Sequence, residues 1–556
     1  MRRSVRLVAA LAGVALLLAG CTALPQASAP QPFDVSVPDA APIQLSADGP
    51  AAGADATTLV RDFLLACAAG ATDDFATARL FLTAASAQTW DPQEQIVVYD
   101  ADSSPRIAET GVPSPDSSSV SVTVPALASV DARGVMSLAP RSSVDQAFDL
   151  VREGGEWRID APPDGLLIPR ASFTSTYELA NLWFPATTGD ALVADPRWYP
   201  ARRLAGHLLA GLVDGPREAL DGGVVNAIPG GATIPSQGVE TVDRTARVVL
   251  NASAPADEPS RRLLAWQIAE TLTQAPSVTS VDLRVGGEQI STEDLPEPPA
   301  YDLDARVVLT DDGIGVLSGA AVSPLPIDTP PPPTATSPAL SPVGRDLVAW
   351  NEDDTLVITR IADGPDAVRE VPGIPASSAA SIDRFGWVWA VGESGIVAAS
   401  PESEPLPVPS EGGVDPRLVR ISPDGARALV VTGGADQSAL LVATVERDAS
   451  GRPVALTSME EAAPPLGTTI DASWAGGDVI VVASRRVGEQ AEQTITSIDL
   501  GGLASSSPLP SEAVSLSAGA GPGAPCMTTS EGRGACRSGA LWQVLAPAVR
   551  AVRHAG

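Results

Sequence analysis

Ser422-Pro423-Asp424-Gly425-Ala426-Arg427-Ala428-Leu429-Val430-Val431 reads as a tight turn feeding an apolar strand. Proline fixes φ at the second turn position, aspartate favours the third and glycine tolerates the fourth. The unit recurs in degraded form as Ser341-Pro342-Val343-Gly344 and Ser473-Trp474-Ala475-Gly476. Short apolar strands centre on Val308, Ala349, Val388, Val430, Ile480 and Met527, at steps of 41, 39, 42, 50 and 47 residues. Most lead into a turn and a second β run. Asn351-Glu352-Asp353-Asp354 does so before Thr355 to Ile358, and Gly433-Gly434 before Ser438 to Ala443. A period of about 40–50 residues with several short strands per unit is the signature of a β-propeller. Residues 301–556 are therefore expected to form an all-β propeller of about six blades. Trp350, Trp387, Trp389, Trp474 and Trp542 fall on or beside the repeat strands, where they suit packing between blades. Pro330 to Pro333 reads as a stiff loop inside this region.

Two mixed regions precede it. Residues 291–300, rich in proline and acid, read as the linker. In 172–295, Tyr177 to Phe184 reads as a strand and Pro200 to Leu212 as a helix with Leu204, Leu208 and Leu212 on one stripe. Asp214-Gly215-Pro216 stops that helix. Strands are expected at Val224 to Ile228, Arg247 to Leu250 and Val278 to Val285, and a second helix at Ser260 to Gln274. The pieces Leu208-Leu209-Ala210-Gly211-Leu212-Val213-Asp214-Gly215-Pro216 and Asn226-Ala227-Ile228-Pro229 resemble the GerMN domain of sporulation and cell-envelope lipoproteins. This region is expected to be a mixed α/β domain. In 55–168, Leu59, Phe63 and Cys67 mark one helix face, and Thr72 to Trp90 is expected to continue helically on Phe75, Leu80 and Phe81. Five strands follow: Gln95 to Tyr99, Ser119 to Pro125, Gly134 to Leu138, Ala147 to Arg152 and Trp157 to Ile159, with Gly154-Gly155 as a hairpin turn. Helices followed by an antiparallel sheet are similar in element order to an NTF2-like α+β cone.

The amino terminus sets the compartment. Arg2, Arg3 and Arg6 form a basic region before the apolar run Leu7 to Leu18, which is short for a permanent membrane span. It ends in Leu18-Ala19-Gly20-Cys21. Small residues fit a peptidase pocket, and a thiol directly after them can take a diacylglyceryl group. The segment resembles the bacterial lipobox. The resemblance implies residues 1–20 as a signal peptide, cleavage between Gly20 and Cys21, and an N-palmitoyl, S-diacylglyceryl Cys21 anchoring the chain on the outer face of the cytoplasmic membrane. Residues 21–54, rich in Ala, Pro, Ser and Asp, read as a flexible tether.

The chain has 556 residues, 67 acidic and 36 basic side chains, two His and four Cys. Its net charge is −31, and loss of Arg2, Arg3 and Arg6 takes it to −34. That argues against binding a nucleic-acid backbone, which needs clustered positive charge. All the basic residues are arginine, which with the Ala, Gly and Pro usage fits a GC-rich genome. Two histidines leave little room for a His-based zinc or triad enzyme. His207 lies beside an apolar helix stripe and reads as a packing residue, as does Cys67. Asn251-Ala252-Ser253 fits a glycosylation pattern by chance. Glu352-Asp353-Asp354 reads as solvated turn charge rather than glycosidase carboxylates or a calcium site. Cys526 and Cys536 flank Glu531-Gly532-Arg533-Gly534, and an oxidising compartment permits a disulfide across that hairpin. No metal, cofactor or catalytic set is expected.

A lipobox, a tether, an α+β cone, a GerMN-like domain and a terminal propeller, in this order, resemble the LpqB family of actinobacterial lipoproteins. The resemblance implies an accessory role beside the MtrA–MtrB two-component system, through contact with the extracytoplasmic part of the sensor kinase MtrB. Cell-wall homeostasis and division would be the processes affected. Two other functions are compatible with the residues: binding of peptidoglycan or a released envelope fragment, and hydrolysis by propeller carboxylates.

Overall fold

The computed structural model describes residues 47–556 except 101–103, 112–113, 140–142, 298, 320, 328–329, 362–367, 435–437, 487–491 and 547. Gly20, Cys21 and the tether up to residue 46 lie outside the described residues. The described residues form one compact unit.

The first domain packs helix α1 (Ala56–Ala69) on a seven-stranded sheet. Asp55 caps α1 by accepting the Thr58 N–H, and Leu59, Phe63 and Cys67 are buried along one face. Thr72 to Trp90 differs from the expected continuous helix. Only α2 (Ala76–Arg79) and α3 (Ser86–Thr89) form, because Asp74 and Phe75 adopt positive φ. The Asp73 carboxylate then starts α2 by accepting the Thr77 N–H and hydroxyl. Phe75 and Phe81 anchor the segment, but Leu80 is 58% exposed.

The strands are β1 (Gln95–Tyr99), β2 (Arg106–Thr110), β3 (Ser117–Asp131), β4 (Met136–Leu138), β5 (Ser143–Glu153), β6 (Glu156–Asp160) and β7 (Leu166–Pro169). The main path runs β6-β5-β3-β1-β7, with β2 and β4 also on β3. β3 is long enough to serve two partners in succession along its length, β5 through Ser117–Pro125 and β1 through Ala126–Asp131. Residues at the end of the expected tether lie against this domain. Ala47 packs on its core and the Gly53 N–H donates to Glu156. The same core takes in Phe173, on α4 (Arg170–Thr176), and Tyr177.

The second domain begins with the hairpin β8 (Tyr177–Pro185) and β9 (Leu192–Pro200). Helices α5 (Leu204–Asp214) and α6 (Glu258–Leu272) share a core with the sheet β10-β11-β12-β13. These strands are Glu240–Val242, Thr245–Leu250, Ser280–Val285 and Glu288–Ile290. β11 and β12 are parallel, so α6 is their crossover. Asp257 caps α6, with Pro259 in its first turn. The expected strand Val224 to Ile228 is absent; Val224 makes only an isolated bridge to Ala186. Side chains satisfy this segment instead. Gln267, fully buried on α6, accepts the Ala227 N–H and donates to Asn226 Oδ1, while Asn226 Nδ2 donates to Leu212 O at the end of α5. The two sequence pieces that resembled GerMN thus meet through one asparagine.

The third domain is a closed six-bladed propeller, each blade a four-stranded antiparallel sheet. Blades two to six occupy residues 336–372, 381–407, 416–463, 468–508 and 513–544. Blade one joins Arg306–Thr310, Gly313–Ser318 and Ala321–Pro324 to the last strand of the chain, Ala551–His554. The innermost strands touch one another all the way round. The strands centred on Val308, Ala349, Val388, Val430, Ile480 and Met527 all occupy the second position in their blades. Trp350, Trp389 and Trp474 fill the seams between neighbouring blades. Ser422-Pro423-Asp424-Gly425 forms the expected turn. Ser422 Oγ donates to Asp424, the Gly425 N–H donates to Ser422 O, and Gly425 takes φ 75°.

Candidate functional site

One buried carboxylate of the second domain organises its junction with the first. Asp195, fully buried on β9, accepts from Arg197 Nε at 3.1 Å and Nη2 at 2.7 Å, and from the Arg217 backbone N–H at 3.1 Å. The Arg217 guanidinium lies beside it, Nε 3.4 Å from Oδ1, as an ion pair without hydrogen-bond geometry. Arg197 Nη1 donates onward to Arg133 O in the first domain. Arg133 Nη2 returns to Gly215 O and Pro216 O, the carbonyls after α5. Gly134 is needed here: its φ is positive, and a Cβ would lie 2.7 Å from Trp198 O.

The propeller closes on the same region. Trp198 Nε1 donates to Gly501 O at 2.6 Å, Thr444 Oγ1 to Ala219 O at 2.6 Å and Asn181 Nδ2 to Asp478 at 3.2 Å. Arg384 of blade three forms a two-pronged bond to Asp190 in the β8–β9 loop. Leu138 of β4 packs with the cluster around Trp474.

Between these contacts lies a cavity of about 480 Å³ lined from all three domains. Arg133, Arg217, Arg427, Glu460, Glu461 and Asp499 give it mixed charge. Arg427 is fully buried. Its Nη2 donates to Gly477 O and Asp424, while Nε and Nη1 have no protein partner. Burial lowers the pKa of Arg217, with Asp195 opposing. Burial and the nearby Asp478 raise that of Asp499. The arrangement ties the domains together and leaves a polar recess at the seam.

The sites expected from sequence lie elsewhere. Cys21 and Gly20 fall outside the described residues. Cys526 and Cys536 are directly opposed on neighbouring strands of blade six and are joined as a disulfide, in a cluster with Val308 and Val552 of blade one. Cys67 is a free buried thiol whose pKa burial raises. His207 stacks on Tyr199 with ring centroids 6.0 Å apart, and burial lowers its pKa. Asp353 and Asp354 form the turn between two strands of blade two, and Glu352 accepts from Trp350 Nε1. Among the described residues, no group of three or more His, Cys, Asp or Glu is placed to hold a metal. Nor is any helix among them long and apolar enough to cross a membrane. The Asp195 network was invisible in sequence, since Arg133, Asp195, Arg197 and Arg217 are charged residues from two regions with no motif around them.

Comparison with known proteins follows the same domain boundaries. The model for the lipoprotein LpqB N-terminal domain matches residues 49–174, that for sporulation and spore germination matches 181–291, and that for the lipoprotein LpqB β-propeller domain matches 314–552. A relative from Nocardia farcinica named Lipoprotein LpqB is 28% identical over 532 residues, covering 86% of this chain and 85% of that one. Another of that name, from Mycobacterium ulcerans, is 28% identical over 560 residues, covering 91% and 90%. The structure of TolB from Acinetobacter baumannii aligns with TM-score 0.34 and 14% identity, over 46% of this chain and 67% of that one. The propeller assignment rests on the blades themselves. With both of its LpqB domains and the intervening domain matched in order, the chain belongs to the LpqB family of lipoproteins.

Proposed function

We propose that this chain is a lipid-anchored, extracytoplasmic binding protein that regulates the MtrA–MtrB two-component system by contacting the sensor kinase MtrB. The observation that carries the binding reading is the tying of three domains into one unit around Asp195 and through Arg384–Asp190. A partner that docks on one domain meets the others at fixed positions, so little ordering is lost on binding. In this reading the chain is not an enzyme. Lipid on Cys21 holds the unit at the membrane, next to the kinase, because two signals or two chains suffice where one is marginal. Cys21→Ser should release the protein from the membrane fraction and weaken signalling. The purified chain should bind the extracytoplasmic domain of MtrB saturably; no binding in a sensitive assay contradicts the reading.

A second reading, capture of peptidoglycan or an envelope fragment, draws on the open axial cavity of about 530 Å³ in the propeller. Sedimentation with purified peptidoglycan tests it. A saturable isotherm supports it, and no co-sedimentation removes it.

A further inference from the structure

The propeller axis carries a charge pattern opposite to that of the chain. Five blades and the segment entering blade three border the axial cavity, through residues such as Thr336, Ser377, Leu418, Ile470, Ser515 and Ala551. Its floor is a bridge across the axis. Asp471 of blade five accepts from Arg420 Nη2 of blade four at 3.1 Å and from Arg553 Nη1 of the closing strand at 2.9 Å. The Ala472 and Leu516 N–H groups also donate to this carboxylate, one to each oxygen. Burial alone would raise the Asp471 pKa, but Arg553, Arg420 and the two amides hold it below the usual carboxylate range.

The carboxylate is thus supplied with donors, and the guanidiniums are in excess. Arg420 is 3% exposed; its Nη1 donates to Ala379 O and Val419 O, and its Nε has no partner. Burial, with the Arg553 charge added, lowers its pKa to about 10, so it is charged at neutral pH. A third arginine, Arg550, lines the same cavity. Its nearest acid is Asp311 at 3.6 Å, with a side chain 95% exposed and screened by solvent. The titratable lining is therefore three arginines and one aspartate, in a chain of net charge −31. Hydroxyls of Thr336, Ser377, Ser515 and Thr529 stand on the walls. A cationic floor in a recessed site with hydroxyl-bearing residues on its walls is suited to a charged oxygen group.

We propose that the axial cavity binds a small oxyanion-bearing ligand, a phosphate or carboxylate on a hydroxyl-rich body, with the Arg420–Asp471–Arg553 bridge as its cationic floor. The inference is independent of the kinase contact. It shares its cavity with the envelope-fragment reading and deepens it; soluble probes test the anion site and sedimentation tests polymer binding, so each can fail without the other.

The test is calorimetric titration of the intact chain at low salt with inorganic phosphate, N-acetylmuramic acid and, as an uncharged control, N-acetylglucosamine. Saturable one-to-one binding of an anionic probe, with the control silent, is expected; the preferred probe separates phosphate from carboxylate chemistry. Arg420→Gln should weaken binding by about tenfold or more. Because loss of Arg420 disturbs a buried bridge, Val514→Glu gives a second variant. Val514 lines the cavity and is 55% exposed, so the fold tolerates change there. An added negative charge should weaken binding about three- to fivefold at low salt, and Val514→Gln should not. No saturation by either anion up to about 10 mM overturns the proposal. So does binding that both Arg420→Gln and Val514→Glu leave unchanged, which marks an adventitious ion only.

Discussion

Arg384 reaches Asp190 across 194 residues of sequence, Nη2 2.6 Å from Oδ1 and Nη1 2.9 Å from Oδ2. The same guanidinium donates from Nε to Asp424 O and lies 4.0 Å above the Phe385 ring. One side chain therefore couples the second domain to blades three and four. Its hydrogen bonds hold the Asp190 carboxyl below the ordinary range.

Arg384→Ala and Asp190→Ala should each loosen this seam. Asp190 is 52% exposed, so a double-mutant cycle in denaturant unfolding is expected to give a coupling of about 1 kcal/mol, shrinking in high salt. Additive losses would mean that the pair does not hold the domains.

Asp195→Ala should cost far more. It strips the carboxylate from Arg197, 1% exposed, and from Arg217, leaving buried cations uncompensated. The expected loss is about 3–5 kcal/mol. Limited proteolysis should then cut between the first and second domains before either is degraded. A loss under about 1 kcal/mol, the range of exposed pairs, would contradict the buried network.

How much of this was legible depends on burial. The second strand of each blade is apolar on both faces, as in Leu347–Glu352 and Arg427–Gly433, so the blade period showed through. Outer strands such as Ser505–Pro508 and Leu541–Val544 are exposed and carry no such signal. β9 was missed because Asp195, Pro196 and Arg197 interrupt its middle, and the two charged residues are the ones buried at the junction. Val224 to Ile228 had strand-like residues, but side chains satisfy its backbone: Gln267 on α6 accepts the Ala227 N–H and Asn226 Oδ1 accepts the Ile228 N–H. The axial bridge was illegible because its charges pair over long separations, 51 residues for Arg420–Asp471 and 82 for Arg553–Asp471.

Acid should weaken the propeller at its closing strand. His554 lies on that strand, and its backbone N–H donates to Ser517 Oγ at 2.9 Å. Burial and the Arg306 charge lower its pKa to about 4, Arg553 adding to this and Asp304 opposing. A histidine whose pKa falls on folding stays neutral in the fold. Its contribution is whole above the ordinary value of 6.5 and is lost as pH falls toward 4. Across that window the loss should be roughly 3 kcal/mol, read as the difference between the parent and His554→Gln in unfolding at each pH. Parallel pH profiles for the two proteins would contradict it.

Removing the Cys526–Cys536 bridge should act on the same closure. The bridge spans 10 residues and packs against Val308 and Val552 of blade one. Cys526→Ser with Cys536→Ser is expected to lower stability by about 2–3 kcal/mol. Intact mass should rise by two hydrogens on reduction. Two free thiols in protein isolated from the envelope would exclude the bridge.

Crosslinking in intact cells, from a photoreactive side chain placed on the described unit and followed by identification of the captured protein, tests the regulatory reading most directly. The expected product is a covalent adduct with the extracytoplasmic part of MtrB, lost when Cys21→Ser removes the anchor. Adducts with other envelope proteins and none with the kinase, from positions on all three domains, would contradict it.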